Sequence, residues 1–255
     1  MNTSFSVVIP ARYASSRLPG KPLLNIAGKS MLEHVYDRAL DSGAKHVVIA
    51  TDDDRIMDEC RSFSATACMT STQHQSGTDR IAEVITLMDW KDDMIIVNLQ
   101  GDEPLMRPEL IKQVAADLAE QPAASMSTLC SPIHTAAELF DPNVVKVVMD
   151  STGFALYFSR APIPWDRDSF AQDMKSLPDE QGHYRHIGLY AYKAGFIRQY
   201  SQLPSCHIER SESLEQLRAL WNGHRIHVSL TEEPPGHGVD TREDLEKIQK
   251  LFSVE

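Results

Sequence analysis

Short apolar runs alternate with amphipathic stretches along the first half of the chain. Three nearly continuous apolar runs occur at residues 5–10 (FSVVIP), 46–51 (HVVIAT) and 94–100 (MIIVNLQ). Such runs are typical of strands buried on both faces, as in a parallel sheet covered by helices. Because a helical pattern separates each run from the next, the sequence predicts an α/β fold with a doubly wound, mostly parallel but mixed sheet.

The stretches between these runs have the spacing of amphipathic helices. Apolar residues recur three and four positions apart from Leu32 onward, and similar stripes begin at Ile81 and Leu110. Ser30 and Glu33 have the spacing of a capping box at the start of the first helix. These stripes are expected to face the core, so they carry no functional assignment.

The second half of the chain has a different pattern. Strand-like segments at 144–150 and 154–160 flank a Ser-Thr-Gly turn and predict a β-hairpin. Further strands and helices are expected at 186–193, 214–221, 227–231 and 242–252. We therefore predict a single domain over residues 1–255, with a smaller β-rich lobe inserted at about 125–205.

Composition limits the classes of function. The net charge of −11 argues against nucleic acid as a partner, because binding a phosphate backbone requires clustered Lys and Arg. No segment has the roughly 20 apolar residues of a membrane span, and the N-terminus lacks the pattern of a signal peptide. We therefore expect a cytoplasmic protein without a membrane partner. Reduced, mostly buried thiols are expected at Cys60, Cys68, Cys130 and Cys206.

A basic segment follows the first predicted strand. Residues 11–23 (ARYASSRLPGKPL) begin at Ala11 and contain Arg12, Arg17 and Lys21, which give the segment three positive charges in an acidic protein. Guanidinium and ammonium groups at the carboxyl end of a strand suit phosphate oxygens. The segment lacks the glycine and Ser/Thr pattern of a Walker A loop. A solvated basic loop is the alternative interpretation.

Two aspartates are candidates for a metal site. Asp102 follows the third apolar run within NLQGDEP, and Asp240 lies within GHGVDT before the last helix. Carboxylates of this kind suit Mg²⁺, which bridges to substrate phosphates. The alternatives are a turn at Asp102 and a helix cap near Asp240, where Thr241 and Asp244 have capping-box spacing.

Two further groups carry polar chemistry. Residues 74–80 (HQSGTDR) begin a helix, and the N–H groups at a helix start bind anions or carbonyls. The second half supplies cations, donors and acceptors that would suit a sugar acid, at Arg160, Arg185, His186, Tyr190, Glu212 and Gln216. Zinc is not expected at His183 and His186 or at His224 and His227, because three-residue spacing on a strand points the two rings to opposite faces.

The motifs together resemble those of the CMP-Kdo synthetase (3-deoxy-manno-octulosonate cytidylyltransferase) family over nearly the whole chain. The resemblance rests on IPARYASSRLPGKPL, IATDD, HQSGTDR, VNLQGDEPL, VKVVMD, ALYFSRAPIPWDRD, RHIGLYAYKAGFI, LEQLRALW and GVDTREDLE, which occur in the order of the family. The family transfers CMP from CTP to Kdo with Mg²⁺, and its product feeds lipopolysaccharide assembly. Its members are typically homodimers through the smaller lobe.

The resemblance implies a role for each matching residue. Arg12, Arg17 and Lys21 would hold the triphosphate beside Ala11, and the loop containing Ser76, Gly77 and Arg80 would face cytosine. Asp102 and Asp240 would hold magnesium, and Asp102 would also contact the nucleotide. The residues implied to contact the sugar acid are Gln100, Arg160, Arg185, His186, Tyr190, Glu212 and Gln216. Arg12, Arg17, Lys21, Asp102 and Asp240 together form the expected catalytic set.

Two alternatives stay open from the sequence. One is a related cytidylyltransferase for an 8-amino Kdo analogue or a sialic acid, because the motifs do not determine the substituent at carbon 8. The other is a non-catalytic nucleotide-binding module, although such a module has no need for the two metal carboxylates. The segments 166–184 and 204–211 match the family poorly, which leaves the shape of the sugar pocket open.

Overall fold

The computed structural model describes most of the chain, and all structural statements concern that part. The described residues are 3–14, 18–74, 76–178, 182–232, 235–236 and 238–252. The strands are β1 (Phe5–Ala11), β2 (Asn25–Ile26), β3 (Lys29–Ser30), β4 (His46–Thr51), β5 (Ala67–Met69), β6 (Ile95–Asn98), β7 (Met126–Pro132), β8 (Lys146–Met149), β9 (Ala155–Ser159), β10 (Tyr184–Lys193) and β11 (Ile226–Leu230). The helices are α1 (Met31–Asp41), α2 (Asp54–Ser62), α3 (Gly77–Leu87), α4 (Pro108–Glu120), α5 (Ala136–Phe140), α6 (Arg167–Gln172), α7 (Ala194–Tyr200), α8 (His207–Glu212), α9 (Gln216–Trp221) and α10 (Arg242–Phe252).

A central mixed sheet has the strand order β11-β7-β10-β6-β1-β4-β5. β1 pairs in parallel with both β4 and β6, and β11 pairs in parallel with β7. Among the described strands on this path, β10 alone runs in the opposite direction, because it is antiparallel to both β6 and β7. The predicted doubly wound, mostly parallel sheet is confirmed.

Helices cover both faces of this sheet. Val7 and Ile9 of β1 pack into one apolar cluster with residues of α1 and α4, whereas Val8 packs into a second cluster with residues of α3 and α7. This alternation follows from the two-residue period of a strand, and it explains why β1 is apolar at successive positions. The three helices predicted from apolar stripes are confirmed as α1, α3 and α4.

The predicted inserted lobe at 125–205 is not confirmed. That range supplies β7 and β10 to the central sheet itself. The predicted β-hairpin is present as β8 and β9, and β8 pairs with β10 at Tyr184 and Arg185. β10 pairs with β6 only from Tyr190 onward, so the hairpin lies beyond the carboxyl end of β6. It therefore forms a wall at the edge of the sheet where ligands bind in such folds.

Three further observations concern the cap of α1, the cysteines and the length of the helices. Ser30 caps α1 by accepting the Glu33 N–H at 3.2 Å. All four cysteines are free, and only Cys68 is partly exposed. Within the described ranges, no helix combines the length and the apolar character that crossing a membrane requires.

Candidate active site

Lys21 lies between two acidic side chains from distant parts of the chain. Its Nζ donates to Asp102 Oδ2 at 2.5 Å, to the Val239 carbonyl at 2.7 Å and to Asp240 Oδ1 at 3.2 Å. The structure thus brings together Asp102 and Asp240, as predicted. Because both carboxylates face one cation, their oxygens also fit the preference of Mg²⁺ for hard oxygen ligands. Magnesium binding by this pair stays a prediction.

Glycines allow the loop of Asp240 to approach the segment that follows β6. A Cβ atom at Gly236 would lie 2.5 Å from the Leu105 Cβ, and one at Gly238 would lie 2.8 Å from Glu103 Oε1. Because the Leu105 Cβ moves only with its backbone, a larger residue at position 236 would displace the loop, whereas one at position 238 would first displace the Glu103 side chain. Gly236 and Gly238, which precede Asp240, therefore allow the two backbone segments to lie close together.

Glu103 is a third carboxyl group beside the acidic pair, and the sequence analysis did not single it out. Burial, followed by the negative charges of Asp102 and Asp240, raises the pKa of Glu103 to about 8. The Glu103 carboxyl is therefore mostly protonated at neutral pH. As a result, it adds little negative charge to the pair.

A cavity at the carboxyl end of β1 collects most of the predicted nucleotide-binding residues. Its lining includes Ala11, Arg12, Lys21, Gly77, Gln100 and Asp102. Arg12 is held there by a hydrogen bond from Nη2 to the His74 carbonyl at 3.1 Å. Arg17 lies outside the described residues, so its predicted phosphate contact stays a prediction.

The residues at the start of α3 that were predicted to face cytosine lie in two different environments. Ser76 caps α3 by accepting a backbone N–H at 3.1 Å, and Gly77 lines the nucleotide cavity. Arg80 has no exposed surface, and its guanidinium donates to Asp52 at 2.7 Å and to the Thr70 hydroxyl. Arg80 therefore holds α3 against the end of β4, and the geometry does not favour a direct nucleotide contact.

A second cavity adjoins the first and shares Gly77 and Gln100 with it. Tyr190 and Gln216, both predicted to contact the sugar acid, lie in this cavity. The remaining residues of its lining are Thr78, Asn98, Met126, Tyr192, Tyr200, Ser213, Leu214 and Glu215. Aromatic faces combined with amide, hydroxyl and carboxylate groups suit a polyhydroxylated ligand.

Glu215 is the most informative residue of this cavity that sequence reasoning missed. Its carboxylate accepts a hydrogen bond from the Thr78 hydroxyl at 3.2 Å, and its carbonyl accepts one from the Tyr200 hydroxyl at 2.7 Å. The available signal was its position directly before Gln216. Similarly, Tyr192 is two residues after Tyr190 on β10, so both rings lie on the same face.

Arg185 and His186 lie near the start of β10 and are not among the lining residues of the second cavity, although the His186 ring centroid lies 5.2 Å from that of Tyr190. Arg185 Nη1 donates to Glu138 Oε1 at 3.1 Å, in a cavity that also contains Asp102. Burial lowers the pKa of His186 to about 3, and its Nε2 lies 2.9 Å from Thr128 Oγ1. The His186 ring is therefore neutral, and it offers hydrogen bonding instead of a positive charge.

Arg160 and Glu212 bind each other, and neither is among the described residues that line these cavities. Glu212 accepts hydrogen bonds from the Ser159 hydroxyl at 2.6 Å and from the Arg160 N–H at 2.9 Å. Arg160 Nε donates in turn to the Glu212 carbonyl at 2.7 Å. The geometry favours a structural role for this pair, and a direct sugar contact stays a prediction.

Comparison with known sequences identifies similar proteins over the full chain. A family model described as cytidylyltransferase matches residues 6–226. The 3-deoxy-manno-octulosonate cytidylyltransferase of Histophilus somni (strain 2336) is 55% identical over 254 residues, which cover 98% of this chain and 99% of that protein. The protein of the same name from Pseudomonas syringae pv. tomato is also 55% identical over 254 residues, with both chains fully covered.

Solved structures agree with the sequence comparison. A structure of CMP:2-keto-3-deoxy-manno-octonic acid synthetase complexed with CTP superimposes with a TM-score of 0.89 at 43% identity, covering 98% of this chain and 99% of that one. A cytidylyltransferase from Leptospira borgpetersenii serovar Hardjo-bovis (strain JB197) has a TM-score of 0.63 at 16% identity, covering 99% and 88%. The second similarity concerns the fold alone.

Proposed function

Because this chain belongs to the 3-deoxy-manno-octulosonate cytidylyltransferase family, we propose that it transfers CMP from CTP to the anomeric hydroxyl of Kdo and releases pyrophosphate. The observation that carries this proposal is the pair of adjoining cavities that share Gly77 and Gln100. One cavity has cationic side chains and the other has hydroxyl and amide groups. Each cavity thus suits one of the two substrates.

The nucleotide would occupy the cavity at the end of β1. Arg12 and Lys21, together with Arg17, would neutralise the triphosphate, because guanidinium and ammonium groups pair well with phosphate oxygens. Ser76 and Gly77 begin α3 at this cavity, and the N–H groups of a helix start favour electronegative atoms of the base. Arg80 would contribute indirectly by holding this helix start in place.

Asp102 and Asp240 would hold Mg²⁺ beside the same cavity. Their convergence on the Lys21 ammonium supports a cation position between them. When bound, the ion would supply positive charge to the phosphate oxygens. With the ion bound, the flexible Lys21 side chain would turn from the carboxylates to a phosphate oxygen of the nucleotide.

The sugar acid would occupy the tyrosine-lined cavity. Gln100, Tyr190 and Gln216 would bind its hydroxyl groups, and Glu215 would add an acceptor. The sugar's own anomeric hydroxyl attacks the α-phosphorus, so the reaction needs no nucleophile from the protein. The protein's contribution is to place that hydroxyl in line with the α-phosphorus and to neutralise the developing charge.

The biological setting is also part of the proposal. We propose that the enzyme works in the cytoplasm as a homodimer and that its product feeds lipopolysaccharide biosynthesis. Membership of the family supports this setting. Two large apolar side chains of the 125–205 range, Leu156 and Trp165, are more than half exposed and could contribute to a subunit contact.

The direct test is pyrophosphate release from CTP and Mg²⁺ in four parallel reactions. These contain Kdo, its 8-amino analogue, a sialic acid or no sugar. We expect release with Kdo alone, at a rate that depends on CTP and on the divalent cation. EDTA is expected to stop the reaction and added Mg²⁺ to restore it.

The other outcomes distinguish the alternatives. Release only with another acid would keep the cytidylyl transfer but change the substrate, and it would direct attention to the segment 204–211. Absence of release in every reaction, from folded protein with Mg²⁺, would contradict the proposal and favour a nucleotide-binding module.

A further inference from the structure

Lys146 is a buried lysine that has no role in the proposed reaction. It is the third residue of the VVKVVMD segment and has no exposed surface. Burial lowers its pKa, although the nearby Asp141 opposes this effect. A lysine is rarely buried without partners, because desolvating an ammonium group is costly. Its partners therefore indicate its role.

The partners of Lys146 are backbone carbonyls of one loop. Its Nζ donates to the Asp141 carbonyl at 2.9 Å and to the Val144 carbonyl at 2.5 Å. Arg160 Nη1 donates to the carbonyl between them, that of Pro142, at 2.9 Å. Two cations thus hold the loop 141–144, which lines the cavity that contains Asp102 and Asp240.

Of these two cations, Arg160 also connects the loop to the sugar cavity, through Glu212. Arg160 donates to the Glu212 carbonyl, and Ser159 with the Arg160 N–H holds both oxygens of its carboxylate. Ser213 follows Glu212 with a positive φ of 52° and is the first residue of the 213–216 segment that lines the cavity. Displacement of Glu212 would therefore move Glu215 as well.

Strand pairing places these groups side by side. Lys146 of β8 is paired with Ser159 of β9 on one side and with Arg185 of β10 on the other. Side chains of directly paired residues lie on the same face of a sheet. Lys146 therefore shares a face of the sheet with Ser159, which anchors Glu212, and with Arg185, which lines the cavity that contains Asp102 and Asp240.

We propose that Lys146 is a positioning residue, which with Arg160 holds the loop 141–144 and Glu212 at a fixed separation. This separation determines the position of the sugar cavity relative to Asp102 and Asp240. Since in-line attack requires the reacting atoms to be placed within a fraction of an ångström, a displaced Glu212 segment misplaces the sugar while nucleotide binding persists. The inference rests on the proposed function.

The test compares KM values for the two substrates in Lys146→Met. Methionine keeps an unbranched side chain of nearly the same length but removes all three donors. We expect KM for Kdo to rise about tenfold and kcat to fall, whereas KM for CTP changes less than about twofold. Ser159→Ala removes one of the two bonds to the Glu212 carboxylate, and it is expected to show the same split at about threefold.

Lys193→Met is the matched control. Lys193 also donates to a backbone carbonyl, that of Pro122, but it lies at the opposite end of β10. This variant is expected to keep both KM values. Equal increases for CTP and Kdo in Lys146→Met, or no change in either, would overturn the positioning role. If Lys146→Met does not fold, Lys146→Arg takes its place, because it keeps a charged donor but changes the separation; the same split is expected, and its absence overturns the positioning role.

An assay of the wild-type protein distinguishes failure of the proposed function from failure of the positioning role. An inactive wild type contradicts the proposed function and, with it, the positioning role. An active wild type with variants that show no split contradicts the positioning role alone.

Discussion

The charges of the acidic pair are only partly balanced. Lys21 contributes one positive charge against the two negative charges of Asp102 and Asp240, and Glu103 is mostly neutral because its pKa is raised to about 8. These four side chains together therefore carry about one net negative charge at neutral pH. Charges near a protein surface interact more strongly than charges in bulk water, which favours the binding of a further cation.

Asp102→Asn tests the acidic pair at the level of one charge. Asparagine keeps the shape and an oxygen that accepts from Lys21, so the fold is expected to persist with an unchanged melting temperature. Loss of the negative charge is expected to lower kcat/KM at least about 100-fold, which corresponds to about 2.7 kcal/mol.

Asp37→Asn provides the matched control for this variant. Asp37 also pairs with a lysine, Lys29 at 2.6 Å, but on an exposed surface of α1. This variant is expected to retain full activity. Full activity in Asp102→Asn would instead remove Asp102 from the proposed metal site.

At the scale of elements, helix starts position several of the candidate residues. α3 begins beside the nucleotide cavity, and α10 begins at Arg242, two residues after Asp240. Asp244 Oδ2 accepts hydrogen bonds from the N–H groups of Asp240 and Thr241 and from the Thr241 hydroxyl, which in turn accepts the Asp244 N–H. The predicted capping arrangement therefore exists, and it restrains the backbone of Asp240 at the same time.

Thr241→Ala tests whether this cap serves both stability and activity. Loss of the capping hydroxyl is expected to cost about 1 kcal/mol of unfolding free energy. It should also lower kcat/KM several-fold, because Asp244 loses a partner that holds it against Asp240. Denaturant unfolding and the pyrophosphate assay measure the two effects.

Ser30→Ala separates stability from activity. Ser30 caps α1 through the Glu33 N–H in the same manner, but it lies outside the proposed site. A similar loss of stability with unchanged activity is expected. If both cap variants lose activity equally, the effect of Thr241→Ala reflects stability alone.

At the scale of the whole molecule, the sheet assembles the site from distant segments. The end of β1 and the segment after β6 lie at one edge because β1 and β6 are paired in parallel, and a hydrogen bond from the Val239 N–H to the Asp102 carbonyl at 2.9 Å holds the loop before α10 against them. The hairpin of β8 and β9 closes one side of this edge, since β10 extends beyond the end of β6. The β9 side of this hairpin presents Leu156, which is 63% exposed.

The proposed homodimer is tested by light scattering of the protein in solution. We expect a mass of two chains, because burying exposed apolar surface stabilises association. Leu156→Glu is expected to lower this mass toward one chain by placing charge in the contact. Leu40→Glu changes an equally apolar, 51% exposed residue of α1 and is expected to leave the dimer intact. A wild-type mass of one chain would contradict the homodimer.

The sequence by itself determined the elements and the basic chemistry. The apolar runs and helical stripes predicted β1, β4, β6, α1, α3 and α4, because burial repeats with the period of each local structure. The resemblance grouped Arg12, Lys21 and Asp102 in one catalytic set, and the structure places all three in one cavity. Family motifs supplied the reaction.

Only the tertiary structure decided which polar side chains face the cavities. The resemblance implied substrate contacts for Arg80 and Glu212, yet one is buried against Asp52 and the other is held by Ser159, whereas Glu215 reaches the sugar cavity. The tertiary structure also placed β7 and β10 in the central sheet, although the sequence had predicted a separate lobe over their range. Local patterns report whether a position is buried, but they do not report its partner. Partners from distant segments are chosen by strand pairing and packing, which no local period encodes.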